Sequence, residues 1–322
     1  MESGIGRRAF IARSVAVSAG AVLGAGVPSG RAGAAPVAAT GCESMPRGRI
    51  KAMEISRLLL GGNLLTHFTH SRDLKYVYSL TRQYNTPEKI VETLGVAESQ
   101  GINTVVIHSD GEKNIEPLKR YRKEVGGKIQ WIICPTADLA TPDFQEQVSR
   151  LLDAGTEAIY LWGVKCDKAV KDGRPELIAE AVDIVQAHGV PCGVGAHDIE
   201  VVRYCEAKAV PADFYIKTFH HHKYPTAPRP DEITGPNSEI PGYWCKDPEE
   251  LAGFMAKVEK PWIAFKVMAA GAIPPPSAFK YAFENGADFV LAGMFDFEVA
   301  QDARTARGIV AAVSGRSRPW RA

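Results

Sequence analysis

The chain has 322 residues, 45% hydrophobic and 23% charged, the composition of an ordinary globular protein. Its 38 basic and 37 acidic residues leave a formal net charge of +1, so nothing in the charge favours nucleic acid or an anionic membrane surface as a partner.

The first forty residues differ in kind from the rest. Gly6-Arg7-Arg8-Ala9-Phe10-Ile11 matches a twin-arginine export motif, and an uncharged small and apolar run follows from Ser14 to Pro28. That run is shorter than the roughly 20 residues a membrane span needs. Ala32-Gly33-Ala34 and Val37-Ala38-Ala39 are candidate cleavage sites. Residues 1–40 therefore read as a twin-arginine signal peptide and linker, and 41–322 as one domain placed outside the cytoplasm, in the periplasm or beyond. Five cysteines follow Cys42 without a C-x-x-C pair, and buried thiols are expected rather than a disulfide framework.

Eight apolar, strand-like runs succeed one another: Ile55–Leu60, Thr104–His108, Ile129–Cys134, Ala158–Trp162, Pro191–Val194, Phe214–Phe219, Trp262–Met268 and Phe289–Ala292. Several are continuously apolar, as in strands buried on both faces. Helical segments alternate with them. Thr86-Pro87-Glu88, Thr141-Pro142-Asp143 and Asp247-Pro248-Glu249 each place a capping side chain, a proline and an acid at a helix start, and Gly101, Gly155, Gly189 and Gly286 supply stops. Alternating strands and helices imply a parallel sheet, and eight units in about 280 residues fit a single (β/α)8 TIM barrel. No G-x-G-x-x-G follows the first strand, which argues against a dinucleotide-binding sheet. Two connections are long, 64–85 and 220–246. The second is rich in Pro and Gly and carries Tyr224, Tyr243 and Trp244, as a packed lid would.

A barrel of this kind builds its active site at the C-terminal ends of its strands. At least six of the eight histidines fall there, including the run His220-His221-His222. His108, His197, His220 and His221 are candidate ligands for a divalent metal, Zn, Mn or Fe, that would polarise a carbonyl or activate water. Lys217 and Lys266 would polarise or protonate an oxygen, and Asp110 or Asp296 would act as base. Lys217 is expected to point into the barrel if Tyr215, Lys217 and Phe219 form its inner face. Asn63, His67, Trp162, Lys165 and Tyr224 are candidate substrate contacts, and Gly271 and Gly293 offer backbone N–H groups to a phosphate or carboxylate.

Lys165, His197, a histidine after strand 6 and Asp296 together resemble the amidohydrolase barrels. The chain departs from them at strand 1, where Asn63 and His67-Phe68-Thr69-His70 replace H-x-H. Ala212-Asp213-Phe214-Tyr215-Ile216-Lys217-Thr218 resembles the strand-6 segment of deoxyribose-phosphate-type class I aldolases, and Phe265–Ile273 resembles their strand 7. That resemblance implies Lys217 as a Schiff-base nucleophile, with Lys266 lowering its pKa. The export signal and the strand-8 run from Gly286 to Phe297 are similar to uncharacterised exported barrel proteins of environmental bacteria, within the aldolase-type superfamily.

The expectation is thus an exported barrel enzyme, a metal-assisted lyase, isomerase or hydrolase of a small, polar, carbohydrate-like substrate. The alternatives are a class I aldolase using Lys217 and a non-catalytic barrel that binds a solute or a partner. Oligomeric state is left open.

Overall fold

The computed structural model describes residues 44–322. The twin-arginine motif, the cleavage sites and Cys42 lie outside these residues. The described chain opens with an element the apolar pattern does not announce, an antiparallel hairpin of β1 (Arg47–Ile50) and β2 (Met53–Ser56). Ile55 belongs to this hairpin rather than to the first barrel strand. Arg57 carries the hairpin register one pair further, its N–H donating to the Pro46 carbonyl at 2.8 Å, before the first barrel strand begins at Leu58.

Eight parallel strands follow: β3 (Leu58–Gly61), β4 (Thr104–His108), β5 (Gln130–Cys134), β6 (Ala158–Leu161), β7 (Cys192–Ala196), β8 (Phe214–Thr218), β9 (Trp262–Phe265) and β10 (Phe289–Ala292). They pair in sequence order, and β10 closes onto β3 to complete the barrel. The helices are α1 (Tyr76–Tyr84), α2 (Pro87–Ser99), α3 (Glu116–Arg120), α4 (Pro142–Asp153), α5 (Gly163–Lys171), α6 (Glu176–Gln186), α7 (Ile199–Ala207), α8 (Pro248–Met255), α9 (Pro275–Glu284) and α10 (Asp296–Ala312). The three cap-proline-acid starts act as their chemistry requires. Thr86, Thr141 and Asp247 accept the N–H groups of Lys89, Phe144 and Glu250 at 3.3, 3.2 and 2.9 Å.

Strand alternation divides the core into two layers. Leu59, Val106, Ile132, Phe214, Ile216 and Ile263 fill the barrel interior, and Ile50, Met53 and Ile55 of the hairpin join that cluster, plugging the N-terminal end. Leu60, Val105, Trp131, Leu161, Tyr215 and Trp262 belong to the larger cluster under the helices. Gly193 makes room for the interior: a Cβ there would stand 2.2 Å from the Phe214 ring. Cys134, Cys166, Cys192, Cys205 and Cys245 are buried and unpaired.

The C-terminal tail folds back beneath the barrel. Arg318 and Asp288 are both wholly buried and form an ion pair with N and O at 2.5 Å. Arg318 also donates to the carbonyls of Val258, Lys260 and Gly286 at 2.7 to 3.1 Å.

Candidate active site

The expected seventh strand ends early, at Phe265, because the chain turns there. Lys266 has φ +53°, and Ala269 and Ala270 follow at +45° and +56°. Side-chain-bearing residues pay for the left-handed region, and such outliers gather at functional sites. Here the turn carries the Lys266 amine to the rim, where it lines two adjoining cavities.

Lys266 Nζ stands 3.1 Å from His197 Nε2, at the end of β7. His197 Nδ1 stands 2.7 Å from Asp167 Oδ2, on α5. Asp167 also accepts the backbone N–H groups of His197 and Asp198, both at 3.0 Å, so its carboxylate is fixed from three directions. These partners set the tautomer: Nδ1–H donates to Asp167, and the Nε2 lone pair accepts a hydrogen from Lys266. Burial, reinforced by the Lys266 charge, pulls His197 down to about 4 against the pull of Asp167, so the ring is neutral at pH 7. Burial likewise draws the Lys266 amine from 10.5 down to about 7, against the attraction of Glu239 and Asp167. The lysine is therefore poised between its two protonation states near neutral pH.

The larger cavity, of about 890 Å³, is lined by Asn63, Phe68, His108, Trp162, Asp167, His197, Glu239 and Lys266 among others. Phe68, His108 and Trp162 build an aromatic wall. The His108 and Trp162 rings are parallel within 3° at 6.3 Å, and Phe68 meets His108 edge-on at 5.4 Å. Burial lowers the His108 pKa against the nearby Asp110 charge.

The 220–246 loop closes over this cavity as a lid. Trp244 stands 5.5 Å below the Lys266 amine. Glu239 accepts from His70 Nδ1 at 3.0 Å and from the N–H groups of Ser71 and Arg72 at 3.0 and 2.9 Å. Burial opposes its ionisation, but these donors outweigh it and hold the carboxyl below its ordinary value. Arg72 adds hydrogen bonds to the carbonyls of Thr226 and Pro241 at 2.7 and 2.5 Å. Glu239→Ala is accordingly expected to loosen the lid. Limited proteolysis should cut within 220–246 several-fold faster than in wild type while the melting temperature moves little; equal cutting rates would show that the lid is held elsewhere.

The histidine run fastens this lid. His220 Nδ1–H donates to the His221 carbonyl at 3.0 Å, and its Nε2 accepts the Trp244 N–H at 2.9 Å. Only the neutral ring makes both bonds, and burial pushes its pKa down to about 3. His221 bonds Ser277 Oγ and the Lys223 N–H, both at 3.0 Å, and His222 donates to the Cys245 carbonyl at 2.7 Å. Among the described residues no three His, Cys, Asp or Glu side chains converge as ligands of one ion would. The four rings hold separate partners: His108 Nδ1 lies 3.3 Å from Thr66 Oγ1, His197 stands between Asp167 and Lys266, His220 bonds within the lid, and His221 bonds Ser277 and Lys223.

Lys217 is placed otherwise than the inner-face alternation anticipated. Phe214 and Ile216 take the interior, so Lys217 shares the helix-facing side with Tyr215 and Phe219. It is 2% exposed and donates to the Thr218 carbonyl and Oγ1 at 3.0 and 3.1 Å. Burial lowers its pKa, yet it lines neither of the cavities that Lys266 reaches. Asp110 is exposed and also lies outside both cavities. Asp296 is taken up by the Tyr84 hydroxyl at 2.6 Å and by Lys89 at 3.2 Å. His67 bonds the Asn85 carbonyl at 2.8 Å, Lys165 pairs with Asp138, and Tyr224 donates to the Gly242 carbonyl at 3.0 Å. Of the expected substrate contacts, Asn63 lines both cavities, Trp162 the larger, and Gly271 and Gly293 the smaller. His70 and Asp167 stand in the site without having been assigned a role, and Glu239 and Asp302 without any sequence signal. The nearest sequence signal is that Asp167 follows strand 4 and His70 follows strand 1, as catalytic-face residues do.

No family model matches the chain, and no curated protein matches it. Solved structures do. A candidate aldo-keto reductase of Pseudomonas aeruginosa superposes with a TM-score of 0.56 at 15% identity, over 84% of this chain and 98% of that one. An aldo/keto reductase of Brucella melitensis gives 0.51 at 12% identity, over 83% and 99%. At such identities the likeness is one of fold: the chain is a (β/α)8 barrel.

Proposed function

We propose that the barrel is an enzyme of acid–base chemistry at a carbonyl group, a lyase or isomerase of a small, polar, carbohydrate-like substrate, with Lys266 as its proton donor. The observation that carries this reading is the lysine drawn to about 7 and hydrogen-bonded to a neutral histidine at the barrel rim. A catalytic acid works best when its pKa lies near the working pH. The Lys266 ammonium gives a proton to the substrate oxygen as negative charge develops there, and the amine that remains recovers one from water or product. His197 stays neutral and aims the amine; Asp167 fixes His197. His70 presents its Nε2 lone pair beside the lysine as an acceptor for a substrate hydroxyl proton.

A second reading is favoured by the same amine. Unprotonated lysine is a nucleophile, so Lys266, rather than Lys217, is the residue that would form a Schiff base. Borohydride trapping with a panel of short sugars and keto acids, read by peptide mass spectrometry, separates the readings. A reduced adduct on Lys266 supports the covalent route, turnover without an adduct supports acid catalysis, and labelling of Lys217 alone overturns both.

The Gly6–Ile11 motif supports export by the twin-arginine route and a place outside the cytoplasm. Among the described residues no helix is long and apolar enough to cross a membrane.

A further inference from the structure

A second cavity, of about 310 Å³, lies between the rims of β3, β9 and β10 and shares Asn63, His70, Trp244 and Lys266 with the larger one. Barrels often hold phosphate at this end, after strands seven and eight. This one is built for something else. Among its lining residues Lys266 is the one lysine or arginine, while Glu298 and Asp302 bring carboxylates. Leu64, Val77, Val267 and Met268 make much of the remaining wall.

Three residues lining the cavity each carry a polar group without a hydrogen-bond partner in the described chain. Thr69 Oγ1 and His70 Nε2 are buried and unpaired. Asp302, 6% exposed on α10, has no hydrogen-bond partner at its carboxyl. Buried polar atoms are almost always satisfied, so two unsatisfied ones beside an unpartnered carboxylate on one cavity point to a ligand that completes them. Their chemistry says which kind. His70 Nδ1–H donates to Glu239, which leaves Nε2 as a lone-pair acceptor. Asp302 accepts, and Thr69 both donates and accepts. The occupant must therefore be rich in donors. Asp302 is already raised to about 6 by burial and the Glu298 charge, so a further anion beside it would be repelled.

We propose that this cavity is the specificity subsite for a neutral, hydroxyl-bearing part of the substrate, and that it rejects phosphorylated forms. The inference deepens the reading above and rests on it for the reacting carbonyl at Lys266. Substrate hydroxyls donate to His70 Nε2 and Asp302 and accept from Thr69, while the apolar wall packs against the carbon faces. A phosphate would meet two carboxylates and no arginine.

The test is calorimetric binding at pH 7 of glycerol, D-xylose and D-glucose against glycerol 3-phosphate and D-glucose 6-phosphate. Wild type should bind at least one neutral probe, with the phosphorylated forms about tenfold or more weaker. Asp302→Leu should weaken neutral binding about tenfold, the scale of one hydrogen bond to a charged group. Asp302→Asn keeps an acceptor, so it should hold neutral binding and narrow the discrimination against phosphate. Phosphorylated probes binding as tightly as neutral ones, no neutral probe binding, or Asp302→Leu without effect would overturn the subsite. Failure of the acid–base reading shows separately, as a Lys266 amine with an ordinary pKa beside an intact Asp302 effect.

Discussion

Lys266→Met is expected to cut turnover of a carbonyl substrate by about 10²–10⁴-fold, the range general acid catalysis contributes, with the barrel still folded. Methionine keeps much of the side chain's bulk and removes only the amine. That amine is costly to the fold, since burial holds it at about 7 against 10.5 in the unfolded chain. The folded state sheds the proton that the unfolded state keeps between these values, so wild type gains stability relative to the variant as pH rises from 7 to 10.5. The variant should therefore be at least as stable as wild type at pH 7, and lost activity could not be blamed on unfolding. In wild type the acid form does the work, so turnover should fall as pH rises through about 7. Lys217→Met is the contrasting case. Its amine donates only to Thr218, so turnover should survive. A kinetic panel with thermal melts checks both; activity lost with Lys217 and kept without Lys266 would move the chemistry to β8.

Arg318→Met is expected to cost about 3 kcal/mol, because it removes the nearer cation of a fully buried pair and leaves the Asp288 carboxylate only Arg316, at 3.9 Å. It also frees the carbonyls of Val258, Lys260 and Gly286. Asp288 retains the N–H groups of Trp262 and Arg321, at 2.9 and 2.8 Å, which keeps the loss from being larger. The double variant Asp288→Asn/Arg318→Met should recover part of the loss, since it removes the buried carboxylate that has lost its closer cation. Chemical denaturation of the two single variants and the pair measures this. A loss below 1 kcal/mol for Arg318→Met would mean that Arg316 or water takes the place of the lost cation.

The barrel was legible because its strands are continuously apolar and its helices open with capping residues before proline. Less legible were elements that leave no such mark. α5 and α7 begin directly at strand ends, at Gly163 and Ile199, and read as loop. The β1–β2 hairpin is too short to show a period. The lid's presence could be read from its prolines and aromatics, but not its fastening. Three adjacent histidines suggest ligands, and only the folded loop shows each ring holding a backbone or hydroxyl partner. Lys266 and His197 lie 69 residues apart, and no spacing rule joins residues that meet only when a barrel closes. The positive φ at Lys266 is invisible in a run of apolar residues that suggests strand as far as Met268. Asp302, on the last helix, looks like a solvated charge until α10 turns it to the cavity.

The most direct test of the central claim is the titration of Lys266 itself. Competitive amine labelling across pH 5–11, followed by peptide mass spectrometry, gives its pKa without knowledge of the substrate. A midpoint near 7 with rapid labelling is the predicted result. A midpoint near the ordinary 10.5 would contradict it, since a lysine fully protonated at neutral pH is not poised as the acid of this site.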